Sequence, residues 1–375
     1  MVLKEGCELQ CTGCRHRGLT EEQSLAQKKS WVKELFSNEF GEISAIRTVH
    51  GEERWHYRRK VLLHAEWQDG KEKGHWKFGL LRRVHGSFDY EVVPIHDCPI
   101  HQVSINRLLQ ILSMQLPMPD SFPLVNLQIS GTVLSFVLKT SKMPQVPAVN
   151  WEEIGVSGVY FNLNPSAGNR VFANKGWHLI WGNSKAQDEG WIYGPESFTQ
   201  QIKPLHLDSV ERVKAFFSGS VDRVVDLYCG TGRTLCEWLN LGLSCVGVEL
   251  NGEALECARQ NLKKTSPRFA DATLLRGRSI ERLPQVQKWC DVGRGRVGVY
   301  LNPPRTGLEN EVLEWVTQRS DATRVAYLSC NPTSLARDVR ILARSGFSVV
   351  KIIPYDFFPQ THHVEVLVLL VREAS

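Results

Sequence analysis

Ten cysteines in a 375-residue chain are unevenly placed, and two of their settings could do chemistry. Cys7, Cys11 and Cys14 put three thiols within eight residues, and Cys98, in His-Asp-Cys-Pro-Ile, is the natural fourth. In a chain expected to be cytoplasmic such a group points to metal rather than disulfides, and four thiolates can hold either a 4Fe-4S cluster or a tetrahedral zinc. Spacing does not separate the two. Cys330 ends the apolar run Val-Ala-Tyr-Leu-Ser-Cys. A cysteine there is either a small hydrophobe of the core or a nucleophile. A third feature is Asp226-Leu-Tyr-Cys-Gly-Thr-Gly232, which ends one strand and opens a helix, with Glu249 ending the next strand roughly twenty residues on. Gly230 and Gly232 would let the backbone approach a ligand, and Glu249 would accept hydrogen bonds from ribose hydroxyls. Leu235 stands where a third glycine would serve a pyrophosphate, so an adenosyl compound is expected instead, with Tyr228 flanking it.

The elements that position these residues follow from periodicity. Thr20 and Gln23 form a capping-box pattern, and Leu25, Val32 and Phe36 recur at helical spacing until Ser37 and Asn38. From about Ile43 to Pro94 short runs rich in aromatic and β-branched residues, such as VLLHAEW, WKFGLL and FDYEVV, predict an antiparallel sheet. A helix near Ile105 to Gln115 follows, then further strands to about Trp191, interrupted by the proline-bearing stretch 141–150. Beyond Leu207, near-continuous apolar strands alternate with helices: VVDLY, CVGVEL, VGVYL, VAYLSC and finally VEVLVLLV. That pattern predicts a parallel, doubly wound sheet covered on both faces. The expected class is α/β: a cysteine-cluster segment and helix over 1–40, an antiparallel α+β central domain over 41–194 that contributes Cys98 to the cluster, and a Rossmann-like domain over 195–375.

The net charge of +5, with a pI near 8.6, permits a polyanionic partner without specifying one. The longest apolar run, Val364 to Val371 broken by Glu365, is too short to cross a bilayer. A cytoplasmic protein with no membrane and no obligate protein partner is expected.

Three late segments carry a resemblance: Asn302-Pro-Pro-Arg-Thr-Gly307, Ser329-Cys-Asn-Pro-Thr333, and Asp356-Phe-Phe-Pro-Gln-Thr-His-His-Val-Glu365. The chain resembles the RNA uracil-5-methyltransferase family, whose nucleophile and general-base motifs match the last two segments nearly letter for letter. The likeness covers most of the chain and is strongest from about 195 onward. Upstream, Trp55-His-Tyr-Arg-Arg-Lys60 is similar to the family's substrate-side Tyr-Arg-x-Lys element. Asn162, Asn164 and Asn169 are similar to its central asparagines, and Phe198-Thr-Gln200 to its Phe-x-Gln element at the base and cofactor pocket. The resemblance implies S-adenosyl-L-methionine as cofactor, held by Gln200, Tyr228, Gly230, Gly232, Glu249 and Asn302, and RNA as partner, ribosomal favoured over transfer. Uracil C5 is a poor nucleophile, so the thiolate of Cys330 would first add at C6, and Glu365 would later remove the C5 proton. The target base must leave its stack, and Phe198 would receive it. Arg58, Arg59 and Lys60, with Lys71, Lys73, Arg82 and Arg83, would form a phosphate-binding face. Because some members of the family carry a 4Fe-4S cluster on cysteines so placed, the cluster is expected to be iron-sulfur and structural.

Many relatives begin with a small β-barrel RNA-binding module. With a cysteine cluster starting at residue 7, no such module is expected here, and RNA selection would rest on the central sheet. Arg233 replaces a small polar residue common in the family's cofactor loop, Ile202 replaces the asparagine after Phe-x-Gln, and Asn302 replaces the commoner Asp. Two alternatives follow from these departures. One is an RNA-binding protein of the same fold with impaired cofactor binding. The other, suggested by Asn302-Pro-Pro, is methylation of an exocyclic amine, which leaves Cys330 and Glu365 without a task.

Overall fold

A capping box opens the first helix: Thr20 Oγ1 accepts from Gln23 N at 3.1 Å, and Gln23 Oε1 accepts from Thr20 N at 3.0 Å. The computed structural model describes residues 3–71, 73–166 and 170–372, without the side chains of residues 37 and 38, and here the helix, α1, spans Glu21–Phe40. It continues through residues 37 and 38, where the sequence suggested an end, and stops at Gly41. Its buried stripe, at i, i+4 spacing, is Ser24, Lys28, Val32 and Phe36. Val32 and Phe36 join the core that includes Val339, Ile352 and Val368. The chain's contacts form two units: residues up to Gly18 with Gly51–Pro195, and Leu19–His50 with residues from Glu196 onward. Helix α1 therefore belongs with the C-terminal unit rather than with the cysteine segment, because its apolar stripe is buried there.

In the first unit, β1 (Lys60–Gln68), β2 (His75–Arg83), β3 (Tyr90–Pro94), α2 (Val103–Gln115), β4 (Leu124–Ser130), β5 (Val133–Leu138), β6 (Gly158–Leu163) and β7 (Trp177–Gly182) follow in order. The sheet runs β3-β2-β1-β4-β5-β6-β7, and a small hairpin pairs β8 (Ala186–Asp188) with β9 (Trp191–Tyr193). The antiparallel expectation holds for every pair of the large sheet except β5 and β6, which run parallel. The proline-bearing connection from 138 to 158 is long enough for the crossover that parallel pairing requires. Phe78, Leu109, Leu112, Phe136 and Phe161 lie in this unit's core. Lys71 and Lys73 precede β2, and Arg82 and Arg83 end it. Asn169 lies outside the described residues.

The second unit continues through α3 (Lys203–Phe217), β10 (Arg223–Leu227), α4 (Arg233–Asn240), β11 (Ser244–Glu249), α5 (Gly252–Thr265), β12 (Ala272–Arg276) and α6 (Ser279–Val292). It closes with β13 (Val297–Leu301), α7 (Asn310–Gln318), β14 (Ala322–Ser329), α8 (Pro332–Arg344), β15 (Ser348–Tyr355) and β16 (Glu365–Val371). The strand order is β12-β11-β10-β13-β14-β16-β15, parallel from β12 to β14, with β16 antiparallel to both its neighbours. This is the Rossmann-like sheet expected, apart from that reversed strand. The order turns back between β10 and β13, and ligands of such sheets lie outside the carboxyl ends of the strands at that switch. Among the described residues no helix is long and apolar enough to cross a membrane.

Candidate active site

The reversed last strand brings Cys330 and Glu365 together. Ser329 of β14 pairs with Val366 of β16, and Cys330 and Glu365, each the next residue along, lie near enough at the carboxyl edge of the parallel strands for the Glu365 charge to act on the thiol. Glu365 is buried, and Gln200 Nε2 donates to its Oε2 at 3.2 Å. Burial pushes its carboxyl up to about 7, against the pull of the Gln200 hydrogen bond and the Arg305 charge. A carboxylate with that affinity is suited to taking a proton near neutral pH. The Cys330 thiol is half-buried, and burial, then the charge of Glu365, raises its pKa. Arg305 opposes both through its charge and a hydrogen bond. Arg305 thus acts on both Cys330 and Glu365, an effect the sequence did not announce.

The residues after Cys330 fasten this arrangement. Asn331 caps α8, its Oδ1 accepting from Thr333 N at 3.1 Å, while its Nδ2 donates to the Arg305 carbonyl at 2.8 Å. Ser334 Oγ donates to the same carbonyl at 3.3 Å. Buried Asp338 accepts from Leu308 N at 3.0 Å and from the Tyr327 hydroxyl at 2.7 Å, so α8 grips both ends of the Arg305 loop. Asn302 is half-buried just beyond β13. Gln200 Oε1 is buried without a hydrogen-bond partner beside Glu365, and Phe198, two residues earlier, is 64% exposed.

The glycine loop fits a ligand on its open side. Gly230 (φ 54) has no atom within 4 Å of where a Cβ would stand, whereas Gly232 (φ 80) would put one 2.9 Å from Ala258 Cβ. The first leaves open space for a bound molecule, and the second lets α5 pack close. Glu249 Oε2 accepts from Gly230 N at 3.1 Å and its Oε1 from Asn251 N at 2.7 Å. Two backbone bonds leave a carboxylate further lone pairs for hydroxyl donors. Tyr228 has a left-handed backbone (φ 69) and donates its hydroxyl to Glu309 Oε2 at 2.5 Å, at the start of α7. Arg233 is the first residue of α4, and its charge, after burial, depresses the pKa of His206 to about 4.

In the first unit the three N-terminal thiols and that of Cys98 lie near one another. Burial drives Cys14 up to about 12, with the charges of Cys98, Cys11 and Cys7 adding to it and that of Arg58 opposing it. Burial also raises Cys98, and the backbone N–H groups of Ile100 and His101 pull it down, while Gly13 N donates to Cys11 Sγ at 3.4 Å. Sulfurs that accept N–H bonds are suited to thiolate ligation, yet among the described residues no group of three or more His, Cys, Asp or Glu side chains is already drawn together around a metal position. Arg58 is bridged through its backbone to His101 and stands by these thiols. Lys60 donates to the Pro195 carbonyl at 2.7 Å. Asn162 holds Ala173 through both amide atoms, and Asn164 Nδ2 donates to the carbonyls of Arg170 and Val171, so these two asparagines shape a loop.

Residues 185–373 match the model of the tRNA (uracil-5-)-methyltransferase family, and the chain belongs to that family. It is 27% identical over 393 residues to an uncharacterized RNA methyltransferase of Clostridium acetobutylicum, covering 96% of this chain and 82% of that one. A similarly uncharacterized RNA methyltransferase of Oceanobacillus iheyensis is 25% identical over 398 residues, with 98% and 83% covered. In fold the chain is similar to the Pyrococcus abyssi tRNA (uracil-54, C5)-methyltransferase, solved with S-adenosyl-L-homocysteine, at a TM-score of 0.72 and 20% identity over 97% of this chain and 87% of that one.

Proposed function

We propose that this protein transfers a methyl group from S-adenosyl-L-methionine to C5 of a uridine in RNA, through a covalent adduct between Cys330 and C6. The observation that carries this reading is Cys330 close to a buried Glu365 whose pKa is near 7, at the edge of the sheet that also holds the glycine loop. Bound in the cradle of Gly230, Gly232, Glu249 and Asn302, S-adenosyl-L-methionine supplies an electrophilic methyl. Cys330, favoured as thiolate by Arg305, would add its sulfur to C6 of the uracil, and the electron pair moved onto C5 would take up that methyl, whose bond to the sulfonium sulfur breaks to leave the neutral thioether S-adenosyl-L-homocysteine. Glu365 then removes the C5 proton, C5=C6 re-forms, and the sulfur leaves. Gln200 Oε1 would accept from uracil N3–H, a donor that cytosine lacks. Phe198 would stack on the base, and Arg58 and Lys60 would set the strand that meets the RNA.

We further propose that Cys7, Cys11, Cys14 and Cys98 hold a structural 4Fe-4S cluster. Support for this reading comes from the nearness that their mutual charge effects imply and from the N–H groups at the Cys98 and Cys11 sulfurs, which favour thiolate ligation. Iron and acid-labile sulfide in equal amounts are expected from anaerobically purified protein; stoichiometric zinc would replace the assignment.

The test of function is product formation. Incubation with S-adenosyl-L-methionine and unmodified ribosomal or transfer RNA should yield 5-methyluridine by nucleoside mass spectrometry, with ribosomal RNA the favoured substrate. Methylated exocyclic amines, or no product despite cofactor and RNA binding, would refute the proposal.

A further inference from the structure

The buried stripe of α1 contains a lysine. The Lys28 side chain is 0% exposed, as is that of Asp356, and Lys28 Nζ lies 2.5 Å from Asp356 Oδ1. A buried ion pair is weak evidence for stability, because desolvation offsets much of the attraction, so its placement needs another account. Asp356 begins the loop that ends at Glu365, and the segment after α1 is fastened beside it. Ser44 N donates to the Ile352 carbonyl at 3.0 Å, Arg47 N to that of Pro354 at 2.9 Å, and Asp356 N to that of Arg47 at 2.8 Å. Thr48 Oγ1 reaches Asp356 Oδ2 at 3.2 Å.

From Lys28 a line of hydrogen bonds continues toward the base. Lys28 Nζ also donates to the Phe358 carbonyl at 3.1 Å. That carbonyl accepts from Thr361 Oγ1 at 2.7 Å, and Thr361 Oγ1 accepts from His363 N at 3.2 Å, two residues before Glu365. Between them Gln360 has a left-handed backbone (φ 67), which an unbraced loop would tend to relax. Glu365 needs such support. It is fully buried near its own titration point, and a displacement of about 1 Å can cost on the order of a hundredfold in rate.

We propose that Lys28 is a positioning residue for proton removal: paired with Asp356 and bound to the Phe358 carbonyl, it sets the loop that aims Glu365 at the C5 proton. The inference rests on the reading of Glu365 as the base. In the step concerned the C5–H bond breaks, the proton passes to the Glu365 carboxylate, its electron pair forms C5=C6, and the C6–S bond breaks to return the Cys330 thiolate. A misaimed Glu365 leaves thiol addition and methyl transfer in place and stalls this step alone, so the methylated covalent adduct accumulates. A purely structural pair would lower all steps together or none.

The experiment compares Lys28→Met/Asp356→Asn, which removes both charges at similar volume, and Thr361→Val, which breaks the line without unpairing a charge, with wild type and Glu365→Gln. Tritium release from RNA carrying 5-tritiated uridine reads proton removal. Methyl label on a denatured protein-RNA complex, formed with ordinary uridine RNA, reads the stalled adduct. The expected result is tritium release slowed about tenfold to a hundredfold in both loop variants, with adduct accumulating as in Glu365→Gln. If Glu365→Gln traps adduct and a folded loop variant releases tritium like wild type, the positioning role is overturned while the base stands. If Glu365→Gln itself releases tritium normally, the base assignment falls and the inference with it. Should the double variant not fold, Thr361→Val decides by the same readout.

Discussion

Burial raises the proton affinity of both Glu365 and Cys330, and the Glu365 shift makes the site's pH behaviour predictable. Glu365 is raised from 4.5 to about 7, so proton removal from C5 should grow with pH up to about 7 and then level off, provided it is followed in single turnover by tritium release. The same shift has a stability consequence. The folded state holds this proton more tightly than the unfolded state, so stability falls as pH rises from about 4.5 to 7. Glu365→Gln should flatten that part of the pH-dependence of chemical denaturation; an unchanged slope would count against the buried carboxyl. At the glycine loop, Glu249→Ala removes acceptors for two backbone N–H groups and for the ribose of the proposed cofactor. Hydrogen bonds to charged groups contribute about 1.5–3 kcal/mol each, so S-adenosyl-L-methionine should bind roughly tenfold to a hundredfold more weakly by calorimetry. These positions were legible in the sequence because each sits in a short motif at a strand end. Arg305 had no assigned task within Asn302-Pro-Pro-Arg-Thr-Gly307, since its meaning depends on a neighbour 25 residues away in the chain, Cys330.

At the scale of elements, helix α1 shows what one-dimensional periodicity misses. Leu25, Val32 and Phe36 announced an amphipathic helix, but the buried stripe is Ser24, Lys28, Val32 and Phe36, with a lysine where an apolar residue is the default. Lys28 finds its partner at Asp356, 328 residues on, and no local pattern signals such a pairing. Phe36→Ala should destabilise the C-terminal unit by about 3–5 kcal/mol. Native-state hydrogen exchange is expected to show lost protection in β14, β15 and β16; loss in β1 and β2 instead would contradict the placement of α1. The edge strands β12 and β15 escaped notice because β12 is only half-buried and the outer half of β15 is largely exposed, so neither reads as a continuous apolar run. The central apolar strands, buried on both faces, were plain. The antiparallel direction of β16 has no sequence signature of its own, yet it is what carries Glu365 to Cys330.

For the molecule as a whole, two units divide the work proposed for it. The C-terminal unit contains the glycine loop, Gln200, Cys330 and Glu365, and the first unit contains the four thiols with Arg58 and Lys60. Serine substitution at Cys14 or Cys98 should therefore remove bound iron and loosen the first unit's sheet while leaving S-adenosyl-L-methionine affinity within about threefold, a change under 1 kcal/mol. Iron content and calorimetry on the same preparation check this. The fold class of both units was readable from strand periodicity, whereas their boundaries were not, because α1 leaves its sequence neighbours to pack with residues more than 300 positions away.

The central claim is a covalent bond between Cys330 and uracil C6 that forms before the methyl is fixed at C5. RNA carrying 5-fluorouracil has no C5 proton for Glu365 to remove, so it should trap that bond. With methyl-labelled S-adenosyl-L-methionine, a labelled protein-RNA complex that survives denaturation and disappears in Cys330→Ser is the result this account predicts. Absence of any complex with ribosomal and transfer RNA, in protein that binds both RNA and cofactor, would contradict it.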